Sequence, residues 1–285
     1  MTSKVWLITG CSTGFGRELS IIAAKEGDSV AGTVRKQEQL KAYNDLAPGK
    51  TYGIIMDVVN KQQVKAGVEA AFNKFGRIDV LVNNAGYGSL GAIEDIPDEE
   101  VRRQFEVNVF GALDVLRNVL PIMRRQKSGH ILNISSIAGL QGYPGVGIYN
   151  ASKFALEGIG ESLARDVEHL GIKVTNIEPG PFRTDWAGRS AKFTHTQLDD
   201  YDETAGKNTS AIAGVSGIQK GDPVKGARAM YDLVQLENPP MHLPLGGIAY
   251  ERIPAKLKGV LAEIEKFEYL GKPTDYPEGA ESQMK

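Results

Sequence analysis

A doubly wound α/β fold, with a mostly parallel sheet covered by helices on both faces, is the architecture this sequence predicts. Three observations carry it. Short apolar runs rich in β-branched residues recur along the chain, each is followed by an amphipathic stretch long enough for a helix, and the first run ends in a glycine-rich turn that leads directly into a helix. Right-handed crossovers between such runs give a doubly wound sheet whose ligand crevice lies at the carboxyl ends of the strands.

The runs expected as strands are residues 5–9, 29–34, 51–56, 80–83, 130–135 and 173–178, and the stretches 16–26, 62–75, 97–125 and 149–170 read as crossover helices. After Gly180 the pattern loosens. Residues 184–222 are polar, glycine-containing and weakly periodic, as expected of a lid near a site. A further helix is expected at 222–236, a short last strand at 241–245, and a charged amphipathic helix at 250–267 before a polar tail. The chain therefore divides into one domain, 1–249, carrying the lid, and a C-terminal helical extension, 250–285.

Bulk properties narrow the function classes. The 285 residues are 41% hydrophobic and 24% charged, ordinary for a globular protein with a sizeable core. The net charge of −2 is spread along the chain, so no surface of one sign is expected to recruit nucleic acid or anionic lipid. The single cysteine, Cys11, cannot form an internal disulfide and reads as a small packing residue. With no long apolar segment near the N-terminus and no membrane-length apolar run, a reducing, cytoplasmic setting is expected.

The first strand ends in Thr9-Gly10-Cys11-Ser12-Thr13-Gly14-Phe15-Gly16. Gly10 permits the tight turn, Gly14 lets backbone approach a pyrophosphate, and Gly16 lets helix and strand pack closely, while the helix N-terminus offers unpaired N–H groups to an anion. At the first strand of a βαβ unit this is the context a dinucleotide site demands.

A second constellation is Asn133-Ile134-Ser135-Ser136 followed by Tyr149-Asn150-Ala151-Ser152-Lys153. Tyr149 and Lys153 are four apart on a predicted helix and project from one face. An ammonium beside a phenol favours phenolate, so Lys153 is expected to lower the pKa of Tyr149 and make it a usable acid or base. Tyr143 is a weaker candidate, since the residue four positions on is Gly147 rather than a cation.

Together with Asn83-Asn84-Ala85-Gly86, Asn108 and Pro179-Gly180, these motifs make the chain resemble the short-chain dehydrogenase/reductase family over about residues 4–245, in the order that family has them. The resemblance implies a Rossmann-type sheet and an oxidoreductase with Asn108, Ser136, Tyr149 and Lys153 as its catalytic set. Ser136 rather than Ser135 takes the serine's place, thirteen positions before the tyrosine. Lys153 would also hold the nicotinamide ribose, and Asn108 would position a proton-relaying water. Asn83 would tie neighbouring strands together, and Asn84, Ala85 and Gly86 would wall the adenosine ribose. Asp57 would meet the adenine with Val58 beside it, and Phe182 and Thr184, past Pro179 and Gly180, would meet the carboxamide. Gly10, Ser12, Thr13, Gly14, Phe15 and Gly16 would hold the diphosphate.

The second predicted strand ends in Val34-Arg35-Lys36. NAD enzymes usually place an acid there for the ribose 2′-hydroxyl, about 20 residues beyond the glycine loop. Val34 in its place, followed by Arg35, favours NADP(H), because a guanidinium grips a 2′-phosphate through parallel hydrogen bonds. Tyr87, Tyr143, Val146, Phe182, Trp186 and Phe193 are candidates for an apolar substrate wall, as for a steroid- or retinoid-like ketone or alcohol. A lyase or epimerase using the same Tyr/Lys pair, or an NADP-binding regulator without turnover, are the alternatives. The resemblance also implies a homo-oligomer through the helices at 97–125 and 149–170, where Ala112, Val115, Leu116, Ala155, Leu156, Ile159 and Leu163 exceed what one sheet-facing stripe needs.

Overall fold

The computed structural model describes residues 3–194 and 198–276, so lid residues 195–197 and the predicted tail from 277 onward lie outside the described residues. Strands β1 (Val5–Ile8), β2 (Ser29–Val34), β3 (Thr51–Ile55) and β4 (Val80–Asn83) alternate with helices α1 (Gly14–Lys25), α2 (Gln37–Asn44) and α3 (Lys61–Phe75). A three-residue strand β5 (Gly88–Leu90) follows, then α4 (Asp98–Phe105), a π-helical turn (Glu106–Phe110) and α5 (Gly111–Gln126). The second half runs β6 (Gly129–Ile134), α6 (Gly147–Val167), β7 (Ile172–Pro179), β8 (Ala191–Phe193), α7 (Lys207–Gly214), α8 (Pro223–Val234), β9 (His242–Leu245), α9 (Gly247–Lys266) and α10 (Glu268–Gly271).

Seven strands form one sheet in the order β3-β2-β1-β4-β6-β7-β9, every neighbouring pair parallel. Both faces of a parallel sheet are covered, which is why its strands read as continuous apolar runs. Alternation along β1 sends Trp6 and Ile8 into the core beneath α1 and α8, and Leu7 into the core beneath α3 and α5. Strand order reverses between β1 and β4, which opens a crevice at their carboxyl ends.

The structure departs from the sequence pattern in several places. Helix α2 is absent from the predicted set because Leu40 and Tyr43 are the main apolar residues of its eight, too few for a visible stripe. The run at 97–125 is helical throughout but carries the π-helical turn around Asn108. Residues 149–170 lengthen at the start to Gly147 and end in a 3₁₀ turn at Glu168–Leu170, stopped by Gly171 at φ 72°. The expected division at residue 249 falls inside α9. The lid is more ordered than its composition suggests: β8 pairs in parallel with β5, and a bridge between Phe182 and Gly221 closes its base.

The apolar surplus expected at an oligomer face is also corrected. Val115, Leu116 and Leu156 are buried in this chain, Val115 and Leu116 within the core beneath α3 and α5. The large apolar side chains these helices expose are Phe110, 48% accessible, and Phe154, 46% accessible. Among the described residues no helix is long and apolar enough to cross a membrane.

The β2 strand needs a glycine where Tyr43 of α2 crosses it. A Cβ on Gly32 would sit 2.0 Å from the Tyr43 hydroxyl, which is buried and donates to Ser20 Oγ at 2.9 Å. Gly32→Ala is therefore expected to cost about 1–3 kcal/mol of stability, read as a lowered midpoint in thermal unfolding. An unchanged midpoint would mean that Tyr43 can move aside freely.

Candidate active site

A cavity of about 690 Å³ runs along the carboxyl edge of the sheet, from the end of β2 across the glycine loop to the start of α6. Of the residues expected to catalyse or to hold the cofactor, all but Gly16 and Asn108 line it. Gly10 and Gly14 adopt left-handed backbone, φ 71° and 61°, and a Cβ on Gly10 would press to 3.1 Å from the Ala85 Cα. Gly16 serves packing instead, since a Cβ there would lie 2.7 Å from the Gly10 carbonyl oxygen.

Thr13 caps α1 by position only, its hydroxyl leaving the first-turn N–H groups unspent. Those N–H groups and the positive end of the helix dipole make the helix start suited to an anion. From the lid, the Arg189 guanidinium donates to Thr13 Oγ1 at 3.0 Å and pairs with Asp185 at 3.1 Å. At the far end Val34 is buried, while Arg35 is exposed, lines the cavity and makes no ion pair among the described residues. Backbone drawn tight by glycines, free N–H groups and an unpaired cation fit a phosphate-bearing dinucleotide. Cys11, buried beneath the loop, has its thiol pushed up to about 12 by burial, which makes it unreactive near neutral pH.

The walls are tied together by residues the motif search passed over. Thr9 Oγ1 accepts the backbone N–H groups of Asn84 and Ala85 at 3.0 and 2.9 Å, and Asn84 Nδ2 returns to the carbonyls of Thr9 and Gly10. Asn83 bonds across to Asn133 at 3.0 Å, Asn133 to Asn176 at 3.1 Å, and Asn176 to Glu157 at 2.6 Å, so the strand-tying role expected of Asn83 extends into a ladder across β4, β6 and β7. Glu157 lies four residues beyond Lys153, a spacing on one helix face that could have flagged it. Asp57 holds the chain turn by accepting from Val59 N–H at 3.2 Å and faces Arg103 at 3.8 Å, with Val58 buried beside it.

Tyr149, Lys153 and Ser136 converge on the opposite end. Burial pushes the Tyr149 phenol above its ordinary value, partly offset by the Ser136 hydroxyl beside it. The expected lowering by Lys153 is not what the structure has: its ammonium stands 5.7 Å from the ring centroid and donates to the Ile134 carbonyl at 2.7 Å. Burial acts on Lys153 too, bringing it down to about 8 against the pull of Glu157. Ser136 Oγ accepts from Ala138 N–H at 3.1 Å and lies beside the Tyr149 phenol, whereas the buried Ser135 Oγ lies against Gly139. Asn108 stands behind the wall. Its side chain accepts from Tyr87 N–H at 3.1 Å and donates to the Tyr87 carbonyl at 3.0 Å and to Ser152 Oγ at 3.1 Å, so its amide is spent on holding backbone.

On the substrate side Trp186 packs on Tyr149, ring centroids 4.9 Å apart, and Tyr87, Tyr143 and Val146 line the same space. Two expected wall residues are corrected. Phe193, on β8, packs into a small cluster with Leu90 and is absent from the cavity lining. The Phe182 ring turns into the core against Phe15, 4.9 Å between centroids, so only part of that residue reaches the cavity.

With this geometry, comparison with known proteins decides the family. The model for short chain dehydrogenase matches residues 4–194. The chain belongs to the short-chain dehydrogenase family. It is 38% identical over 269 residues to oxidoreductase BOA17 of Botryotinia fuckeliana, covering 94% of this chain and 98% of that one. It is 37% identical over 252 residues to a 3-ketodihydrosphingosine reductase of Bacteroides thetaiotaomicron, covering 86% and 89%. A short-chain dehydrogenase from Streptomyces avermitilis superposes with a TM-score of 0.90 at 38% identity, over 96% of this chain and 99% of that one. More distant members were solved with NAD, from Burkholderia phymatum (TM-score 0.75, 25% identity, 98% of both chains), and with NADP, in ElxO (0.72, 27%, 88% of this chain and 100% of that one). This short-chain dehydrogenase is thus an oxidoreductase whose structural relatives bind either nicotinamide dinucleotide.

Beneath the site, burial pushes the carboxyls of Glu157 and Glu178 up to about 7, with Glu178 also adding its charge to Glu157 and Glu161 adding its own to Glu178. Glu178 Oε1 and His242 Nδ1 share a hydrogen bond at 2.7 Å. Because these groups ionise near 4.5 when unfolded, the native state binds more protons between about pH 4.5 and 7, and stability should fall as pH rises through that window. Glu178→Gln is expected to flatten the fall, measured as urea-unfolding free energy at pH about 5 and about 7.5. An unaltered slope would show that Glu178 is already ionised in the native protein.

Proposed function

We propose that this short-chain dehydrogenase is an NADP(H)-dependent enzyme that interconverts a ketone or aldehyde and the corresponding alcohol, with Tyr149 as the general acid and base. The observation that carries the reading is that Tyr149, Ser136 and Lys153 share one cavity with the glycine loop and with Arg35. A bound nicotinamide supplies or accepts the hydride. The chain's own residues do the rest. Ser136 and Tyr149 hydrogen-bond the substrate oxygen, and Tyr149 releases its proton to that oxygen as the carbonyl is reduced. Burial suits Tyr149 to this task, because a phenol that resists ionisation still holds its proton when the ketone arrives. Lys153, brought down to about 8, is near enough to neutrality to return that proton and lies where it can hold the nicotinamide ribose.

Gly10, Ser12, Thr13, Gly14 and Phe15 hold the diphosphate in this reading. Asn84, Ala85, Gly86, Asp57 and Val58 flank the adenosine, and Pro179, Gly180, Phe182 and Thr184 the carboxamide. Asn108 acts by fixing the Tyr87 backbone. The buried Val34 removes the acid that would repel a 2′-phosphate, and Arg35 is the free cation to grip it. The exposed Phe110 and Phe154 support pairing of the α4–α5 and α6 helices of two copies as a homo-oligomer, and the inert thiol of Cys11 accords with a cytoplasmic setting.

Two measurements test the reading. Tyr149→Phe is expected to lower kcat for ketone reduction by about 10²- to 10⁴-fold while leaving the NADPH dissociation constant close to wild type, and near-normal turnover would remove Tyr149 as the proton donor. Wild type is expected to prefer NADPH over NADH by roughly 10- to 150-fold in kcat/KM, the worth of charge-assisted hydrogen bonds, with most of the preference lost in Arg35→Ala. Equal use of the two nucleotides by wild type would contradict the NADP assignment.

A further inference from the structure

The cavity is lined by seven cations, and most have an assignable counter-charge or carbonyl. Lys153 donates to the Ile134 carbonyl, Arg103 faces Asp57, Lys192 pairs with Glu100, Arg189 pairs with Asp185, and Lys36 lies near Glu38. Arg35 falls at the end of β2, where the proposed function places a 2′-phosphate. Arg252 remains. It belongs to α9, lines the cavity, and has neither an ion pair nor a hydrogen bond among the described residues. Its one contact is the face of Tyr143, with the guanidinium carbon 5.5 Å from the ring centroid.

That position is fixed by the fold. Ala249 and Ile253, four apart on α9, are buried against Ile137 of the turn that follows Ser136, and Tyr143 packs at the edge of the same cluster. Arg252 lies between them in sequence, at the rim of the buried face. The Tyr143 loop is held in turn by Asn150, which accepts from Tyr143 N–H at 3.3 Å and donates to the Ala138 carbonyl at 2.8 Å. Tyr149 is the adjacent residue, so the proton donor and the free guanidinium are referred to one rigid frame. Val146, Trp186 and Ile212 pack in one apolar cluster with Tyr149 and Tyr143 and line the cavity, as does Val215. The two carboxylates in the cavity lining, Asp57 and Asp185, are both committed to other arginines.

We propose that Arg252 is a substrate-specificity residue that receives a carboxylate, so that the preferred substrate is a ketone or secondary alcohol with an apolar body and an anionic group at the end remote from the reacting carbon. The inference rests on the oxidoreductase reading and deepens it. A guanidinium that lies over a tyrosine ring spends no N–H group on it, and its donors stay free to form two parallel bonds to a carboxylate. A substrate ending in an ammonium group would be repelled at the same place.

The test uses straight-chain methyl-ketone acids of graded length, each beside its methyl ester, with NADPH. At the length that spans the cavity, wild type is expected to favour the acid over its ester by about tenfold in kcat/KM, a modest value because Arg252 is exposed. That ratio should fall to near one in Arg252→Gln and invert in Arg252→Glu, with NADPH binding reporting that the variants are folded. Calorimetric titration of wild type with a ketone-free fatty acid of the same length gives a second readout without turnover, and its affinity should fall in step in Arg252→Gln. Acid and ester used equally at every length, or an acid preference that survives both substitutions, would overturn the inference while leaving the oxidoreductase reading intact. Failure to bind NADPH or to reduce any ketone would instead overturn that reading and this inference with it.

Discussion

Thr9 holds the two loops on which the cavity depends. In a parallel sheet every strand delivers its carboxyl end to the same edge, but nothing in the ladder itself keeps the loop after β1 beside the loop after β4. The Thr9 hydroxyl does so by accepting two successive backbone N–H groups, of Asn84 and Ala85, while the Asn84 amide reaches back to the carbonyls of Thr9 and Gly10. Four orphan backbone groups at the switch point are satisfied in one stroke, and a buried polar group left unpaired there would cost about 1–3 kcal/mol. Gly10 can then turn at positive φ with the Ala85 Cα close behind it, and the glycine loop stays narrow enough for backbone to meet a phosphate.

Burial sets the chemistry at the other end. The apolar environment that surrounds Tyr149 and Lys153 disfavours both phenolate and ammonium, so it pushes the two groups apart in acidity, the phenol up and the ammonium down. Desolvation dominates both shifts, with the charge of Glu157 and the hydroxyl of Ser136 acting against it in a secondary role. The asparagine ladder from Asn83 to Glu157 supports this arrangement by joining β4, β6 and β7 to α6. Lys153 therefore rises from a helix that is hydrogen-bonded to the sheet one turn further on.

Much of this was legible in the sequence because the chemistry requires its residues close together along the chain. Glycines of a turn and a Tyr/Lys pair on one helix face are local patterns, and the main strands showed as buried apolar runs. Tertiary contacts left weaker traces. Helix α2 is specified by one tyrosine reaching a glycine on β2, and β5 and β8 are too short for any periodicity to register. The π-helical turn follows from Asn108 binding the Tyr87 backbone, a partner 21 residues away. Arg189 meets Thr13 across 176 residues, which no spacing rule reaches. The lowering expected for Tyr149 failed for a related reason, since spacing places a lysine beside a phenol but says nothing of how dry the site is.

In the proposed reaction a hydride passes between nicotinamide and a substrate carbon in the cavity faced by Tyr149. Reduction of a ketone with NADPH deuterated at the transferred position of C4, followed by mass spectrometry of the product alcohol, tests it most directly. The deuterium is expected on the carbinol carbon. An alcohol formed without the label, or a label that stays on the nucleotide while substrate is consumed, would contradict it.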